Sequence, residues 1–392
     1  MHLINRIKQY QKHVVLLNTL HIFNDGYAAS MLLLLPFIAK DMHISLTAVG
    51  VLGTIENSLG FFLALPSGYL AKKFGGMRAL IYGCLLSGFG YALTGFSATY
   101  VMLFPAFILG GIAFGIFHPI SLGLVTRLSA KETRGKALGD FTAIGDLGRI
   151  GIGALLTIVI AAIGWRFTSL LYAVIALLVG FIAFFLYKKS DEVKTTQDVM
   201  KAVRLRELLL HKGSFFVHVT AFFDSFASNT LFIFLPFLLL FRGSDPALLG
   251  SLTAFFFIGN FAGKLFLGRL VDKYKSTTVF IVSETLMALL IVFMASVTSL
   301  PLLIISSIIL GVFTKGTVPA MKMMVSESAE HHGNFEKAFG ANTMISRVGS
   351  TISPIILGFV SDHAGIVAAF YVLAAAALIA VIPAFGFHRT KK

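Results

Sequence analysis

The stretch Gly-Tyr-Leu-Ala-Lys-Lys at residues 68–73 returns at residues 268–273 as Gly-Arg-Leu-Val-Asp-Lys. Each copy directly follows a long apolar stretch, so glycine and charged residues mark the same kind of boundary twice. The two copies lie 200 residues apart in a chain of 392, which indicates two halves of similar design. Repeats of this size are typical of membrane folds that are built from related helical bundles.

Further motifs keep the same register between the halves. Register that holds across several motifs supports a repeat more strongly than a single match. The matching pairs are Phe23-Asn24-Asp25 with Phe223-Asp224, Pro36-Phe37 with Pro236-Phe237, Lys136-Ala137-Leu138-Gly139 with Lys337-Ala338-Phe339-Gly340, and Gly148 with Gly349.

The composition excludes an ordinary soluble protein. Hydrophobic residues make up 57% of the chain and charged residues only 13%, and the mean hydropathy is +0.87. A chain of this kind cannot bury its apolar surface and still present a polar exterior, so lipid must be its main solvent. The 39 phenylalanines suit a surface that faces hydrocarbon.

Apolar stretches of about 20 residues, the length that crosses a bilayer as a helix, occur twelve times. The sequence therefore predicts an all-α membrane protein with twelve transmembrane helices in two pseudo-symmetric six-helix bundles. The expected division is an N-terminal bundle at 1–187, a cytoplasmic linker at 188–212 and a C-terminal bundle at 213–392. The predicted spans are 14–39, 47–70, 77–98, 100–127, 137–163, 166–187, 214–241, 248–271, 277–298, 300–325, 338–361 and 364–387.

The basic residues predict the orientation. Most of the 32 lysines and arginines fall in the tails and in the loops on one side, whereas Lys40, Arg166 and Arg242 lie in loops on the other. This asymmetry obeys the positive-inside rule, which places both termini in the cytoplasm. It also accounts for the net charge of +14 without a nucleic-acid partner. The single cysteine, Cys84, excludes an intramolecular disulfide and is interpreted as a small buried hydrophobe.

The loops that follow spans two and eight resemble the signature loop of the major facilitator superfamily, which has glycine, two apolar residues, aspartate and basic residues. Asp272 retains the acid of this pattern, whereas Lys72 replaces it in the first half. The short sequence Gly164-Trp165-Arg166 is another feature of the superfamily. The resemblance implies that Gly68, Lys72, Gly268 and Asp272 belong to conformational-gating loops.

Two intramembrane motifs resemble the fosmidomycin-resistance branch of that superfamily: His21-Ile22-Phe23-Asn24-Asp25 and Ile116-Phe117-His118-Pro119. The resemblance implies a proton-coupled exporter of a small organic compound, working by alternating access in a bacterial inner membrane. We expect no enzyme activity and no cofactor. The expected partners are the substrate, protons and the lipid bilayer, and the chain is expected to be a monomer.

Titratable side chains inside membrane spans are functional candidates, because each costs several kcal/mol unless it faces a cavity or a partner. The sequence predicts proton coupling at His21, Asp25 and Asp224. Glu284 is not assigned a function. It lies near the cytoplasmic end of span nine, where a position at the membrane interface is tolerable. The predicted substrate-cavity residues are Asn24, Glu56, His118, Asp146, Arg149, Asn229, Lys264, Lys315 and Arg347.

Each prediction has a structural alternative. His21 and Asp25 are four residues apart and share a helical face, so they either exchange a proton or make a static hydrogen bond between helices. Asp224 either binds a proton or pairs permanently with Lys264 or Lys315. Asp146 is expected to form a gating salt bridge with Arg347 or a static pair with Arg149, and His118 either acts in the cavity or bonds a backbone carbonyl.

Two other functions remain open from the sequence. A transporter of a metal ion or metal chelate would use His21, Asp25, His118 and Asp224 as nitrogen and oxygen ligands. A receptor or scaffold that does not transport is the third reading. The sequence contains neither a nucleotide-binding loop nor a nucleophile with its base, which argues against ATP-driven pumping and covalent catalysis.

Overall fold

A computed structural model describes residues 2–63, 66–129, 134–187, 212–329 and 335–390. The described chain is nearly all helical, which confirms the predicted fold class. The helices are α1 (His2–Met42), α2 (Leu46–Leu63), α3 (Pro66–Phe74), α4 (Gly76–Phe96), α5 (Tyr100–Leu128), α6 (Arg134–Leu186), α7 (Lys212–Phe241), α8 (Leu249–Lys273), α9 (Ser276–Ser296), α10 (Leu300–Ala329), α11 (Phe335–Ala364) and α12 (Ile366–Thr390).

Eleven of the described helical segments are long and apolar enough to cross a membrane. The longest of them lies in α6 and contains two of the predicted spans. At Gly164 the backbone leaves helical geometry, with φ 77° and ψ 161°, a conformation that glycine adopts without a steric penalty. Gly164 therefore divides α6 between the predicted spans 137–163 and 166–187, and the segments accommodate twelve crossings.

The described residues of the predicted second span, 47–70, lie on α2 (Leu46–Leu63) and α3 (Pro66–Phe74). Residues 64 and 65 lie outside the described residues. The glycine and lysines of the first repeated loop motif consequently lie on α3.

The chain forms two compact units, one with Met1–Met42 and Ile55–Val199 and the other with His43–Thr54 and Met200–Lys392. Residues 43–54 thus cluster with the second unit, although the sequence places them in the first bundle. The predicted linker at 188–212 lies almost entirely outside the described residues. The bundle boundaries remain a prediction.

The start of α2 is bound by an acid of α11. The carboxylate of Asp362 accepts hydrogen bonds from the backbone N–H groups of Leu46 and Thr47, each at 2.8 Å. The Thr47 hydroxyl donates to the same carboxylate at 2.5 Å. These bonds satisfy N–H groups that every helix leaves open at its start, and they explain why residues 43–54 cluster with the second unit.

In the first unit α1 packs on α6, and α4 packs on α5 and α6; in the second, α7 packs on α11 and α12, and α8 on α10. Small residues bring these backbones close together, as in other membrane bundles. A Cβ at Gly148 would overlap the carbonyl oxygen of Ile22, and one at Gly349 would overlap that of Phe222. The two units therefore repeat the same close approach at equivalent positions.

Candidate functional site

Three helices of the first unit converge on the carboxylate of Asp25. His21, one turn earlier on α1, places its Nε2 3.3 Å from Oδ2. His118 of α5 places its Nε2 3.3 Å from Oδ1, and Arg149 of α6 places Nη2 2.7 Å from Oδ2. Asn24 adds a hydrogen bond from its side-chain amide to Oδ1 at 2.9 Å. Residues that the sequence predicts as separate candidates thus form one cluster.

Arg149 connects two buried acids. Its Nη2 contacts Asp25, and its Nη1 donates to Oδ1 of Asp146, three residues earlier on α6, at 2.7 Å. The planar fork of a guanidinium suits such paired contacts. The structure shows the pair of Asp146 with Arg149, and a gating salt bridge with Arg347 stays a prediction.

The members of this cluster differ in accessibility. The side chains of His21 and Asp25 are 2% exposed and that of Asp146 is fully buried, whereas His118 is 27% and Arg149 22% exposed. Of the two ring nitrogens of His118, Nε2 lies beside the Asp25 carboxylate. His118 and Arg149 are the most exposed of these side chains.

The ring of His21 is held between aromatic neighbours. It stacks on Phe141, with ring centroids 4.1 Å apart, and on Phe117 at 5.3 Å. Gly145 of α6 makes room for this arrangement, because a Cβ there would lie 2.5 Å from His21 Nε2 and 2.6 Å from Asp25 Oδ2. The glycine spacing of α6 thus serves the cluster as well as helix packing.

The formal charges of this cluster do not cancel. Two carboxylates against one guanidinium leave a charge of −1 when both imidazoles are neutral. One proton on either histidine brings the sum to zero, and histidine is the side chain that exchanges protons near neutral pH. In a low-dielectric setting such charge balance matters far more than in water. The cluster is therefore suited to bind and release a single proton.

A second polar feature of the first unit is a small pocket at Glu56. This glutamate is 6% exposed, and its Oε2 has no hydrogen-bond partner among the described residues. Asn24 connects the pocket to the Asp25 cluster, because it lines the one and bonds the other. The lining residues are Asn24, Tyr27, Ala28, Met31, Glu56, Ser87, Tyr91, Gly110 and Phe114. Of these lining residues, the sequence analysis predicts only Asn24 and Glu56. In the sequence, the aromatic lining residues cannot be told from ordinary core residues.

In the second unit Asp224 of α7 faces α10. The Thr317 hydroxyl donates to its Oδ1 at 3.2 Å, and Lys315 lies near enough to act on its charge. Lys315 also donates to Oδ1 of Asn229, whose amide donates to Ser225 at 2.7 Å. Of the two lysines considered for Asp224, the structure places Lys315 beside it.

Glu284 of α9 is fully buried, and its carboxyl lies within hydrogen-bonding reach of Asp224. The signal was present in the sequence, because an acid inside an apolar span is a functional candidate by default. Its position near the end of the predicted span does not indicate that it lies beside Asp224.

The remaining predicted residues lie on α3, α8 and α11. Lys264 on α8 and Arg347 on α11 are both partly buried in the second unit. Gly68 and Lys72 lie on α3, and Gly268 and Asp272 lie near the end of α8, with the side chains of Lys72 and Asp272 exposed. A role for these residues in the substrate cavity or in gating stays a prediction.

Three of the four residues named for a metal do approach one another. His21, Asp25 and His118 offer ligand atoms that all lie within 4.8 Å. Asp224, the fourth, belongs to the other unit. The guanidinium of Arg149 already lies 2.7 Å from the Asp25 carboxylate, and a fixed cation there opposes a second one by charge repulsion. This geometry favours a proton over a metal ion.

Several known proteins are similar to this chain in sequence or in structure. Multidrug resistance protein 1 of Bacillus subtilis is 23% identical over 334 residues, which cover 83% of this chain and 84% of that protein. The probable nitrate transporter NarT of Staphylococcus epidermidis is 24% identical over 365 residues, 92% of either chain. In structure, the nucleoside transporter NupG superposes with a TM-score of 0.79 at 13% identity, covering 97% of this chain and 100% of NupG.

A bacterial homolog of the human lysosomal transporter Spinster, in an inward-facing and unoccupied conformation, superposes with a TM-score of 0.74 at 14% identity, covering 97% of this chain and 96% of the homolog. The sequence also matches the family pattern of the Major Facilitator Superfamily over residues 15–223 and 215–392. With its helical fold and apolar spans, the chain is a multi-pass membrane transporter and not an enzyme, and it belongs to the major facilitator superfamily.

Proposed function

We propose that this transporter exports a small organic compound in exchange for protons, by alternating access. The observation that carries the proposal is the buried cluster of Asp25, Asp146 and Arg149 with His21 and His118. A fixed charge of −1 beside two imidazoles favours binding of one proton. A proton that neutralises the cluster changes its interactions with a charged substrate and with its own helices.

Within the cluster, His118 is the member through which protons enter. Its ring is 27% exposed and contacts Asp25 directly, whereas His21 is 2% exposed and lies between aromatic rings. A proton taken up by His118 reaches Asp25 in one step, since the two groups are 3.3 Å apart. Arg149 is partly exposed as well, and it is the group that an anionic substrate would compete for.

The direction and cargo of transport rest on resemblance. The His21–Asp25 and Ile116–Pro119 motifs resemble the fosmidomycin-resistance branch, and one of the similar proteins is named for multidrug resistance. Both point to export of a small organic compound from a bacterium. The distribution of basic residues supports cytoplasmic termini, and the bacterial relatives support a location in the inner membrane. A monomer stays an expectation.

The test uses everted membrane vesicles from cells that express the protein. Respiration acidifies their interior, and a fluorescent weak base reports the pH gradient while fosmidomycin, ethidium or a quinolone is added. We expect at least one compound to dissipate the gradient in wild-type vesicles, because an antiporter releases a proton for each exchange. The same compound leaves the gradient unchanged in Asp25→Asn vesicles.

Asp140→Asn is the matched control, because Asp140 is an exposed acid on α6, the helix that also carries Arg149. It should behave like the wild type. Accumulation of a compound that continues at full rate after a protonophore collapses the gradient would show that transport is not driven by protons.

A further inference from the structure

The second unit contains an acid that the proposed mechanism does not use. Glu284 lies in the apolar helix α9 and is fully buried. Neither of its carboxyl oxygens accepts a hydrogen bond from any donor in the described part of the chain. An ionised carboxylate in this position would lose its hydration without compensation, which is among the costliest arrangements in a protein.

The group beside Glu284 is another acid. The carboxyl of Asp224 lies within hydrogen-bonding reach of it, and a bond between two carboxyl groups requires that one of them carry a proton. Two ionised carboxylates at this distance repel each other strongly in a low-dielectric interior. A single proton between them turns the repulsion into a hydrogen bond.

The charges around the pair match one bound proton. Lys315 of α10 acts on Asp224, and Thr317 donates to the same carboxyl at 3.2 Å. A pair that holds one proton has a charge of −1, which Lys315 balances. His218, six residues before Asp224, is the other titratable group on this part of α7, and it is buried.

The remaining helices add few charges. Lys264 of α8 and Arg347 of α11 are the basic side chains in the central parts of those two helices, and α12 carries no charged residue between Ile366 and Phe387. Lys315 is the basic group that acts on Asp224.

We propose that Asp224 and Glu284 form a carboxyl pair that binds one proton between them, as a proton site in the second unit besides the Asp25 cluster. The role of this site in transport rests on the function proposed above, whereas the binding of the proton does not. The pair then has the same task as the cluster of the first unit, performed with different residues: an acid pair and a lysine in place of two acids, an arginine and two histidines.

The test measures the bound proton itself, in purified full-length protein without substrate or gradient. Infrared difference spectra between acid and alkaline pH record the carbonyl stretch of protonated carboxyl groups, which shifts in deuterated water. We expect the wild type to retain such a band at neutral pH. Glu284→Gln should remove the part of the band that belongs to the pair, because the glutamine amide donates to Asp224 and leaves that carboxylate ionised beside Lys315, while the buried Glu56 keeps its own contribution. Asp140→Asn, which changes an exposed acid, should leave it unchanged.

Asp224→Asn is a second variant for the infrared measurement, and it replaces Glu284→Gln if that variant does not fold. In that variant Glu284 has an amide as its neighbour, so its band should change in frequency. A second readout is the pH dependence of the unfolding temperature. Folding takes up the proton that the unfolded chain releases, so stability should fall as the pH rises, and this slope should flatten in Glu284→Gln.

A wild type without the neutral-pH band, or a band that is identical in the wild type and both variants, would overturn the pair. If the infrared band of the pair is present but the vesicles show no proton-driven transport, only the proposed coupling of transport to protons would be overturned. The two proposals are therefore tested separately.

Discussion

Arg149→Met should lower the free energy of unfolding by about 3–5 kcal/mol and abolish gradient-driven transport. The guanidinium holds two buried acids, Asp25 and Asp146, at 2.7 Å each. Methionine fills similar space but leaves both carboxylates without this cation, and an uncompensated buried charge is far costlier than a lost surface pair. Thermal unfolding of the purified protein in detergent, together with transport in proteoliposomes, measures both effects.

The control for Arg149→Met neutralises the acids that it leaves behind. Combining it with Asp25→Asn and Asp146→Asn should recover most of the lost stability, because amides are cheaper to bury than carboxylates. Transport should stay absent, since the proton-binding acid is gone. Arg149→Lys should be intermediate, because an ammonium keeps the charge but loses the planar fork. If Arg149→Met unfolded at the wild-type temperature, the cluster would not be the buried charge network described here.

Gly148→Ala should destabilise the first unit by about 1–3 kcal/mol, the usual range for overpacking, and should reduce transport with it. The added Cβ would overlap the carbonyl oxygen of Ile22, and backbone atoms cannot move aside as a flexible side chain can. The helices α1 and α6 must separate, which draws Arg149 away from Asp25. Unfolding temperature and transport rate are the measurements.

Gly151→Ala provides the matched control, since it adds the same methyl group one turn further along α6, where nothing lies within 4 Å. Alanine is also the better helix former, so this variant should be neutral or slightly stabilising. Gly349→Ala should repeat the effect of Gly148→Ala in the second unit, where the Cβ would overlap the carbonyl oxygen of Phe222. Equal unfolding temperatures for Gly148→Ala and Gly151→Ala would contradict the close helix approach.

The fold was largely predictable from the sequence because lipid leaves few options. A chain in hydrocarbon must pair its backbone groups within each crossing, so an apolar stretch of sufficient length becomes a helix. The repeat at 68–73 and 268–273 then separates the halves. The placement of residues 43–54 was not predictable, because it accompanies contacts between Leu46 or Thr47 and Asp362, more than 300 residues away.

The site was predictable only where it is local. His21 with Asp25, and Asp146 with Arg149, are neighbours on their own helices, and simple helical spacing indicates both pairs. The bond from Arg149 to Asp25 joins α6 to α1, and it depends on how closely the glycines of α6 let the two backbones approach. Hydropathy contains no information on that distance.

Glu284 is a second case in which the sequence does not indicate a contact between helices. Its position along α9 indicates its depth in the membrane, whereas its burial depends on the neighbouring helices. Nothing in the local sequence indicates that Asp224 lies beside it, 60 residues away in the chain. Pairs between helices need the packed structure.

The most direct test of proton coupling compares two modes of transport in proteoliposomes with the compound that the vesicle assay identifies. One mode is accumulation driven by an imposed pH gradient, and the other is exchange of labelled for unlabelled compound without a gradient. We predict that Asp25→Asn loses gradient-driven accumulation and retains exchange, because the protein still alternates but no longer binds the coupled proton. Gradient-driven accumulation by Asp25→Asn at the wild-type rate would contradict the account.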